Sequence, residues 1–163
     1  MVNIPRCIRK LAVYDDSELV SRVDRGAPFL GFQIGCPCGE DSVELLGYEA
    51  ESQAAPGEGV FIGPLGMRCV SCGTESEIMD PETDGYNGEI DSNTTMRGSG
   101  VRTSWRCPQC KNSRVHAAVV FAYQVEVDEE MAERPEDFFD VFQLFAVCCQ
   151  CGELREVTTF DCT

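Results

Sequence analysis

The residues of this sequence best suited to chemistry are its cysteines, which number eleven among 163 residues. Nine of them fall into four short clusters: Cys36 and Cys38; Cys69 and Cys72; Cys107 and Cys110; Cys148, Cys149 and Cys151. In a reducing compartment this clustering indicates metal ligation rather than disulfide bonds. Two close cysteines with Pro between them or Gly after them predict a tight turn that directs both sulfurs at one ion. Four such turns predict two tetrahedral sites, the geometry that zinc prefers.

The fourth cluster offers three sulfurs for two places. Cys148 with Cys151 would repeat the two-residue spacing of the second and third clusters, and Cys149 with Cys151 would repeat the one-residue spacing of the first. The first pairing is preferred, because neighbouring strand residues point to opposite faces. The predicted ligands of two structural Zn²⁺ ions are Cys36, Cys38, Cys69, Cys72, Cys107, Cys110, Cys148 and Cys151. Free redox thiols and an iron–sulfur cluster remain alternatives.

The segments between the cysteines predict a mostly β fold of small sheets and hairpins with one or two short helices. Strands are predicted at Phe29–Ile34, Ser42–Tyr48, Val60–Ile62, Val101–Arg106, Arg114–Val127, Val141–Cys148 and Glu153–Phe160. Short helices are predicted at Asp16–Val23, capped by Asp15 or Asp16, and within Asp128–Phe139, with Pro135 at a helix start. The predicted organisation is an N-terminal segment with a short helix (1–28), a first unit (29–79), a linker or long loop (80–100) and a second unit (101–163).

Each unit resembles a zinc ribbon, in which two cysteine turns at the ends of β-hairpins hold one zinc ion. The resemblance rests on Cys36, Cys38, Cys69 and Cys72 in one unit, and on Cys107, Cys110, Cys151 and Cys148 or Cys149 in the other. The first turn departs from the usual pattern, because it has one spacer residue instead of two. The resemblance implies a fold group and two structural zinc ions, but no particular activity.

Charge is distributed unevenly along the chain. The formal net charge is −15, which disfavours long-range attraction to phosphate backbones. Residues 92–124 nevertheless contain no acidic side chain. The cations of this stretch and its tryptophan form a candidate anion or partner patch: Arg97, Arg102, Trp105, Arg106, Lys111 and Arg114. The simpler interpretation is that this basic stretch packs against acidic neighbours within the fold.

Signals for catalysis are weak. The single histidine, His116, lies in the middle of a predicted strand, where a structural hydrogen bond is the expected role. No glycine-rich phosphate loop precedes a helix, and no serine stands in a nucleophile-elbow sequence. The segment Asp80–Asp91 has nearly the spacing of an EF-hand calcium loop, but its Asp-Gly and Asn-Gly pairs are first of all turn formers. The sequence therefore predicts a protein that is not an enzyme.

Three functions remain, the third of them a thiol redox or metal-buffer protein. The first is a non-catalytic, zinc-stabilised acidic module, of the adaptor or inhibitor type, that binds a basic protein. The second is a nucleic-acid-associated zinc ribbon that uses Trp105 and the basic stretch, since aromatic stacking and arginine contacts suit single strands. The apolar segment 138–145 is expected to be mostly core, with one face able to contact a partner protein. Because residues 1–10 lack a long apolar run, we expect a cytoplasmic protein with no membrane association.

Overall fold

The computed structural model describes residues 3–23, 29–51, 59–84, 98–123 and 135–161. This part of the chain forms nine strands of one curled antiparallel sheet. The strands are β1 (Ala12–Tyr14), β2 (Phe29–Gly35), β3 (Ser42–Glu51), β4 (Gly59–Cys69), β5 (Glu75–Met79), β6 (Thr103–Ser104), β7 (Arg114–Ala122), β8 (Val141–Cys148) and β9 (Leu154–Asp161). The prediction of a mostly β fold is confirmed.

Helical structure is limited to short segments in the described residues. They are α1 (Glu18–Ser21) and two 3₁₀ turns, Arg6–Ile8 and Pro135–Asp137. The predicted cap of α1 is wrong: Ser17 Oγ accepts a hydrogen bond from the backbone N–H of Leu19 at 3.1 Å. The helix begins later than its pattern indicated, so a serine occupies the cap position, which it suits as well as aspartate.

Most predicted strands lie close to their observed positions. The predicted strand Val101–Arg106 is reduced to the two residues of β6. The end of the predicted strand Arg114–Val127 and the first part of the predicted helix in 128–139 lie outside the described residues.

The main difference from the predicted strands is β4. The prediction ended this strand at Ile62, and the structure continues it to Cys69. In the structure the β3–β4 register shifts between Leu46 and Tyr48, so that Pro64 lies in an irregular stretch of the strand. A proline is tolerated there, because its missing N–H interrupts no ladder bond.

The core is built around β7, which pairs with β2 and β3 along one edge and with β8 along the other. Residues 117–122 of this strand are all buried, as expected for a strand covered on both faces. Three aromatic rings of β7, β8 and β9 pack in a row, with centroids 5.5 Å apart for Phe121 and Phe142 and 5.8 Å apart for Phe142 and Phe160. One cluster of buried residues joins this region to the β3–β4–β5 region.

The two halves of the sheet match strand for strand. Val43 on β3 pairs with Cys69 on β4, and Val115 on β7 pairs with Cys148 on β8 in the same register. The irregularity between β4 and β5 falls at residues 65/66, and that between β8 and β9 at the corresponding residues 144/145. Residues 42–46 and 65–79 therefore correspond to residues 114–118 and 144–158.

The halves also exchange strands around an approximate twofold axis. β2, which precedes the first cysteine turn, pairs with β7, and β6, which precedes the third, pairs with β3. β3 and β7 pair directly through Val43 and Val115, two residues that correspond to each other. The predicted division into two units at residues 80–100 stays a prediction, because residues 85–97 lie outside the described part of the chain.

Candidate metal centres

Three of the cysteine turns have the same backbone hydrogen bonds. In each, the N–H of the first cysteine donates to the carbonyl five residues later, and the N–H four residues later donates back to the carbonyl of the first cysteine. The forward bonds are Cys69 to Thr74 at 3.0 Å, Cys107 to Asn112 at 2.9 Å and Cys148 to Glu153 at 3.0 Å. The turn that begins at Cys148 is thus of the same type as the turns at Cys69 and Cys107.

The first turn is a version of this structure that is one residue shorter. The N–H of Cys36 donates to Glu40 O at 2.8 Å, and the N–H of Gly39 donates to Cys36 O at 2.9 Å. The single spacer, Pro37, therefore removes one residue without changing the pattern of bonds. The first turn therefore differs from the other three in length but not in its hydrogen-bond pattern.

Each turn ends in left-handed backbone at the residue after its second cysteine, if Cys151 is counted as the second cysteine of the fourth turn. The φ angles are 100° at Gly39, 73° at Gly73, 64° at Lys111 and 74° at Gly152. Glycine adopts this conformation without steric cost, and other residues resist it. The third turn is the exception, because a lysine stands where the other turns have glycine.

The first two turns bring four sulfurs together. Sγ of Cys36 lies 3.6 Å from Sγ of Cys72, and Sγ of Cys38 lies 3.6 Å from Sγ of Cys69. All four sulfurs lie within 4.8 Å of one another. Cys36 and Cys69, at the base of the turns, are buried, and the other two are exposed.

The third and fourth turns form the second group. Sγ of Cys107 lies 3.6 Å from Sγ of Cys151, and Sγ of Cys110 lies 3.4 Å from Sγ of Cys148. These four sulfurs also lie within 4.8 Å of one another. Cys149 lies outside the group, with its Sγ 4.0 Å from Ser42 Oγ.

The strand correspondence explains why Cys149 is separate. Its counterpart in the first half is Val70, and both residues donate a backbone N–H to β3 or β7: Val70 to Ser42 O at 3.4 Å and Cys149 to Arg114 O at 3.0 Å. Cys149 therefore occupies a spacer position of the turn. The structure brings together the eight cysteines that the sequence analysis preferred.

These dimensions fit a four-coordinate metal ion. Zinc–sulfur bonds of ~2.3 Å at tetrahedral angles place the sulfurs ~3.8 Å apart, close to the 3.4–3.6 Å of the four shortest pairs. A disulfide bond would need ~2.05 Å, and all eight cysteines are free. Two groups of four cysteines could thus each hold one metal ion.

Hydrogen bonds within the turns favour the thiolate form of some sulfurs. The Thr74 hydroxyl, followed by the Thr74 backbone N–H, lowers the pKa of Cys72 to about 6. Burial alone would raise the pKa of Cys148, but the N–H groups of Cys151 and Gln150 outweigh it and lower this pKa to about 6. Thiolate is the form that binds metal, so both groups contain a sulfur prepared for ligation.

Further negative charge in the same group is disfavoured. For Cys36, the N–H of Cys38 favours the thiolate, but burial and the neighbouring sulfurs outweigh it and raise the pKa to about 12. Cys151 has the same balance: the N–H of Glu153 lowers the pKa, and burial with the nearby sulfurs raises it to about 12. A divalent cation at the centre of each group would remove this repulsion.

Two side chains near the sulfurs were not identified from the sequence. Thr74 Oγ1 lies 3.2 Å from Cys72 Sγ, and Asn112 Nδ2 donates to Cys148 Sγ at 3.7 Å. Each stands two residues after the second cysteine of a turn, and that position was the available signal. Such contacts orient metal ligands and stabilise their charge.

The candidate basic patch is dispersed in the structure. Arg102 donates to both carboxylate oxygens of Glu77, at 2.8 and 3.0 Å, and to Pro64 O at 3.1 Å. Trp105 is half-buried and packs against the core. Arg106, Lys111 and Arg114 are exposed around the third turn, and Arg97 lies outside the described residues.

The remaining candidate residues have structural contacts. His116 Nδ1 lies 3.3 Å from Asp41 O and 3.6 Å from Asp41 Oδ1. In the described part of the calcium-like loop, Asp80 Oδ1 and Asp84 Oδ2 accept backbone N–H groups, each at 3.0 Å. Residues 85–91 of this loop lie outside the described residues. In the apolar segment 138–145, three side chains are buried as expected: Phe139, Phe142 and Leu144. Its other three apolar side chains are half-buried.

Comparisons with known proteins add no family. Neither a family model nor a curated protein nor a solved structure matches this chain. The helices in the described segments are all too short or too polar to cross a membrane.

Proposed function

We propose that this chain is a non-catalytic, zinc-stabilised module of the cytoplasm whose acidic surface binds a basic partner protein. The observation that supports zinc binding is the pair of four-sulfur groups. In each group all four sulfurs lie within 4.8 Å of one another. A zinc ion with four thiolates has no vacant position for water or substrate, so such sites stabilise structure and do not catalyse.

The cysteine turns support a likeness to zinc ribbons. In each group, one cysteine turn precedes a β-hairpin and the other follows it. In the first group, the turn at Cys36 precedes β3 and the turn at Cys69 follows β4. The exchange of β2 and β6 between the halves departs from two independent ribbons. The proposed architecture is therefore a fused pair of zinc-ribbon-like halves.

Charge supports a basic protein as the partner. The net charge of −15 attracts cations at long range and speeds their association. Nucleic acid is the second candidate, and its proposed contacts are weakened by the structure around them: Glu77 engages Arg102, and Trp105 packs against the core. Stacking on a base would require Trp105 to be more accessible.

Separate binding measurements with two probes test the proposal. Fluorescence anisotropy is measured with a labelled peptide of alternating Arg and Leu and with a labelled single-stranded oligonucleotide, at ~20 and ~150 mM salt. We expect the peptide to bind, more weakly at the higher salt concentration, and the oligonucleotide not to bind. Binding of the oligonucleotide alone would favour the nucleic-acid function, and binding of neither would refute both.

A further inference from the structure

A groove of about 790 Å³ lies beside the fourth cysteine turn. One side is formed by α1 and the end of β1, and the floor by the outer face of β7 and β8, where His116 pairs with Val147. Arg22, at the end of α1, donates to Gly152 O at 3.3 Å and so attaches the helix to the cysteine turn. The groove is therefore bounded by a helix that is attached to the turn of the second cysteine group.

The floor differs from the equivalent surface of the first half. There, Glu44, Arg68 and Glu75 stand in a row across β3, β4 and β5, with ion pairs of 3.1 and 2.8 Å. The corresponding row in the second half is His116, Val147 and Leu154. Since the same backbone accommodates three charged side chains in one half, the fold does not require Val147 and Leu154 in the other.

The walls have the chemistry of a cation site. Tyr14 is 40% exposed, one of two large apolar side chains with such exposure in the described residues, and it lines the groove. Three carboxylates line it as well, those of Asp16, Glu18 and Asp41, against one arginine, Arg22, which donates to Gly152 O. An aromatic ring beside carboxylates attracts guanidinium and ammonium groups, and the side chain of Val147 in the floor suits their aliphatic stems.

We infer that this groove binds an arginine or lysine side chain of the basic partner protein. The cation lies against Tyr14 and the carboxylates of Asp16 and Glu18, and its stem lies over Val147. This inference rests on the proposed function and adds the place of contact. The partner presents at least one basic side chain that projects from its surface.

The test uses the same labelled peptide of alternating Arg and Leu. Asp16→Asn and Glu18→Gln should each weaken binding about two- to five-fold, and Tyr14→Leu about three-fold, whereas Tyr14→Phe should keep it. Asp15→Asn is the matched control, because Asp15 is exposed and adjacent but does not line the groove. It removes the same charge and should change the affinity by less than about 1.5-fold.

A second variant tests the floor. Val147→Arg introduces the residue type found at the equivalent position of the first half, Arg68. It should weaken peptide binding about ten-fold or more, because the arginine occupies the groove and repels the peptide's basic side chains. Unchanged melting and metal content show that each variant is folded. Equal losses of peptide affinity for Asp15→Asn and Asp16→Asn, or full peptide binding by Val147→Arg, would refute the groove as the binding site. Neither result would refute the proposed acidic module. Failure of the unaltered protein to bind the peptide would refute the proposed function and the groove together.

Discussion

The left-handed residue of the cysteine turns offers a sharp test of how these turns are built. Gly73 has a φ of 73° and Lys111, at the equivalent place in the third turn, has a φ of 64°. The two perturbations are Gly73→Ala, which adds a Cβ to left-handed backbone, and Lys111→Gly, which removes one.

The expected magnitudes follow from the surroundings of each residue. A Cβ at Gly73 would meet no atom within 4 Å, so its cost comes from the backbone alone. That cost is about 1–2 kcal/mol for an L-residue in left-handed backbone, offset by roughly 0.5–1 kcal/mol because alanine lowers the entropy of the unfolded chain. The net destabilisation by Gly73→Ala is therefore up to about 1.5 kcal/mol. Lys111→Gly relieves the same penalty but returns roughly 0.5–1 kcal/mol as entropy of the unfolded chain. The net effect is a stabilisation of up to about 1.5 kcal/mol.

Thermal unfolding with bound metal measures both changes, and 1 kcal/mol corresponds to about 2–4 °C in a chain of this size. Gly100→Ala is the control: Gly100 has a φ of 94°, its added Cβ also meets nothing within 4 Å, and it belongs to no cysteine turn. It should cost similar stability without changing the rate at which a chelator removes metal, whereas Gly73→Ala should speed removal. A Gly73→Ala that stabilises the chain or leaves the rate of metal removal unchanged, or a Lys111→Gly that destabilises by more than about 1 kcal/mol, would refute the reasoning.

Three further predictions concern single cysteines. Cys149→Ser should keep both metal ions by elemental analysis and melt as before, and Cys148→Ser should lose one, because only Cys148 belongs to a four-sulfur group; the opposite result would mean that the fourth turn copies the one-residue spacing. Cys36→Ser and Cys110→Ser should each lose one metal ion and become severely destabilised, because metal-binding energy is folding energy in such sites; full metal and unchanged melting in both would show that the ligands are wrongly assigned. Burial, with the nearby charge of Asp84, raises the pKa of Cys7 to about 12, so iodoacetamide at pH 7.5 should label this thiol only after unfolding. Rapid labelling of Cys7 in the native protein would contradict its place among the buried core residues.

The sequence was most informative where local pattern and burial agree. β8 was predicted at its observed bounds, Val141–Cys148, because its alternation matches a strand with one face in the core. β2 differs from its prediction by one residue at its end, and β9 is shifted by one residue at both ends. The three-residue β1 and the charged β5 were not predicted, because their short or polar segments carry little periodic signal.

The pairing of the strands could not be predicted. A period of two indicates which side chains share a face but not which strand lies alongside, so the exchange of β2 and β6 between the halves left no trace in the pattern. The approximate twofold axis at Val43 and Val115 emerges only from the register.

The candidate site divides in the same way. The spacing of the cysteines was sufficient to predict four turns and two groups, because a turn of two to four residues leaves few ways to place two thiols on one ion. It left two pairings open in the fourth cluster. Cys149 needed the structure, where its equivalence to Val70 shows that it is a spacer. The basic patch also needed the structure, because Glu77 lies far from Arg102 in sequence and close to it in space.

The metal content of the chain tests the central claim most directly. Native mass spectrometry of protein purified without added metal measures the number and identity of bound ions on the intact fold. The two four-sulfur groups predict two zinc ions per chain, both removed by a strong chelator with loss of folded structure. A chain that keeps its β structure and melts cooperatively with no bound metal would contradict the claim that zinc holds these cysteine turns together.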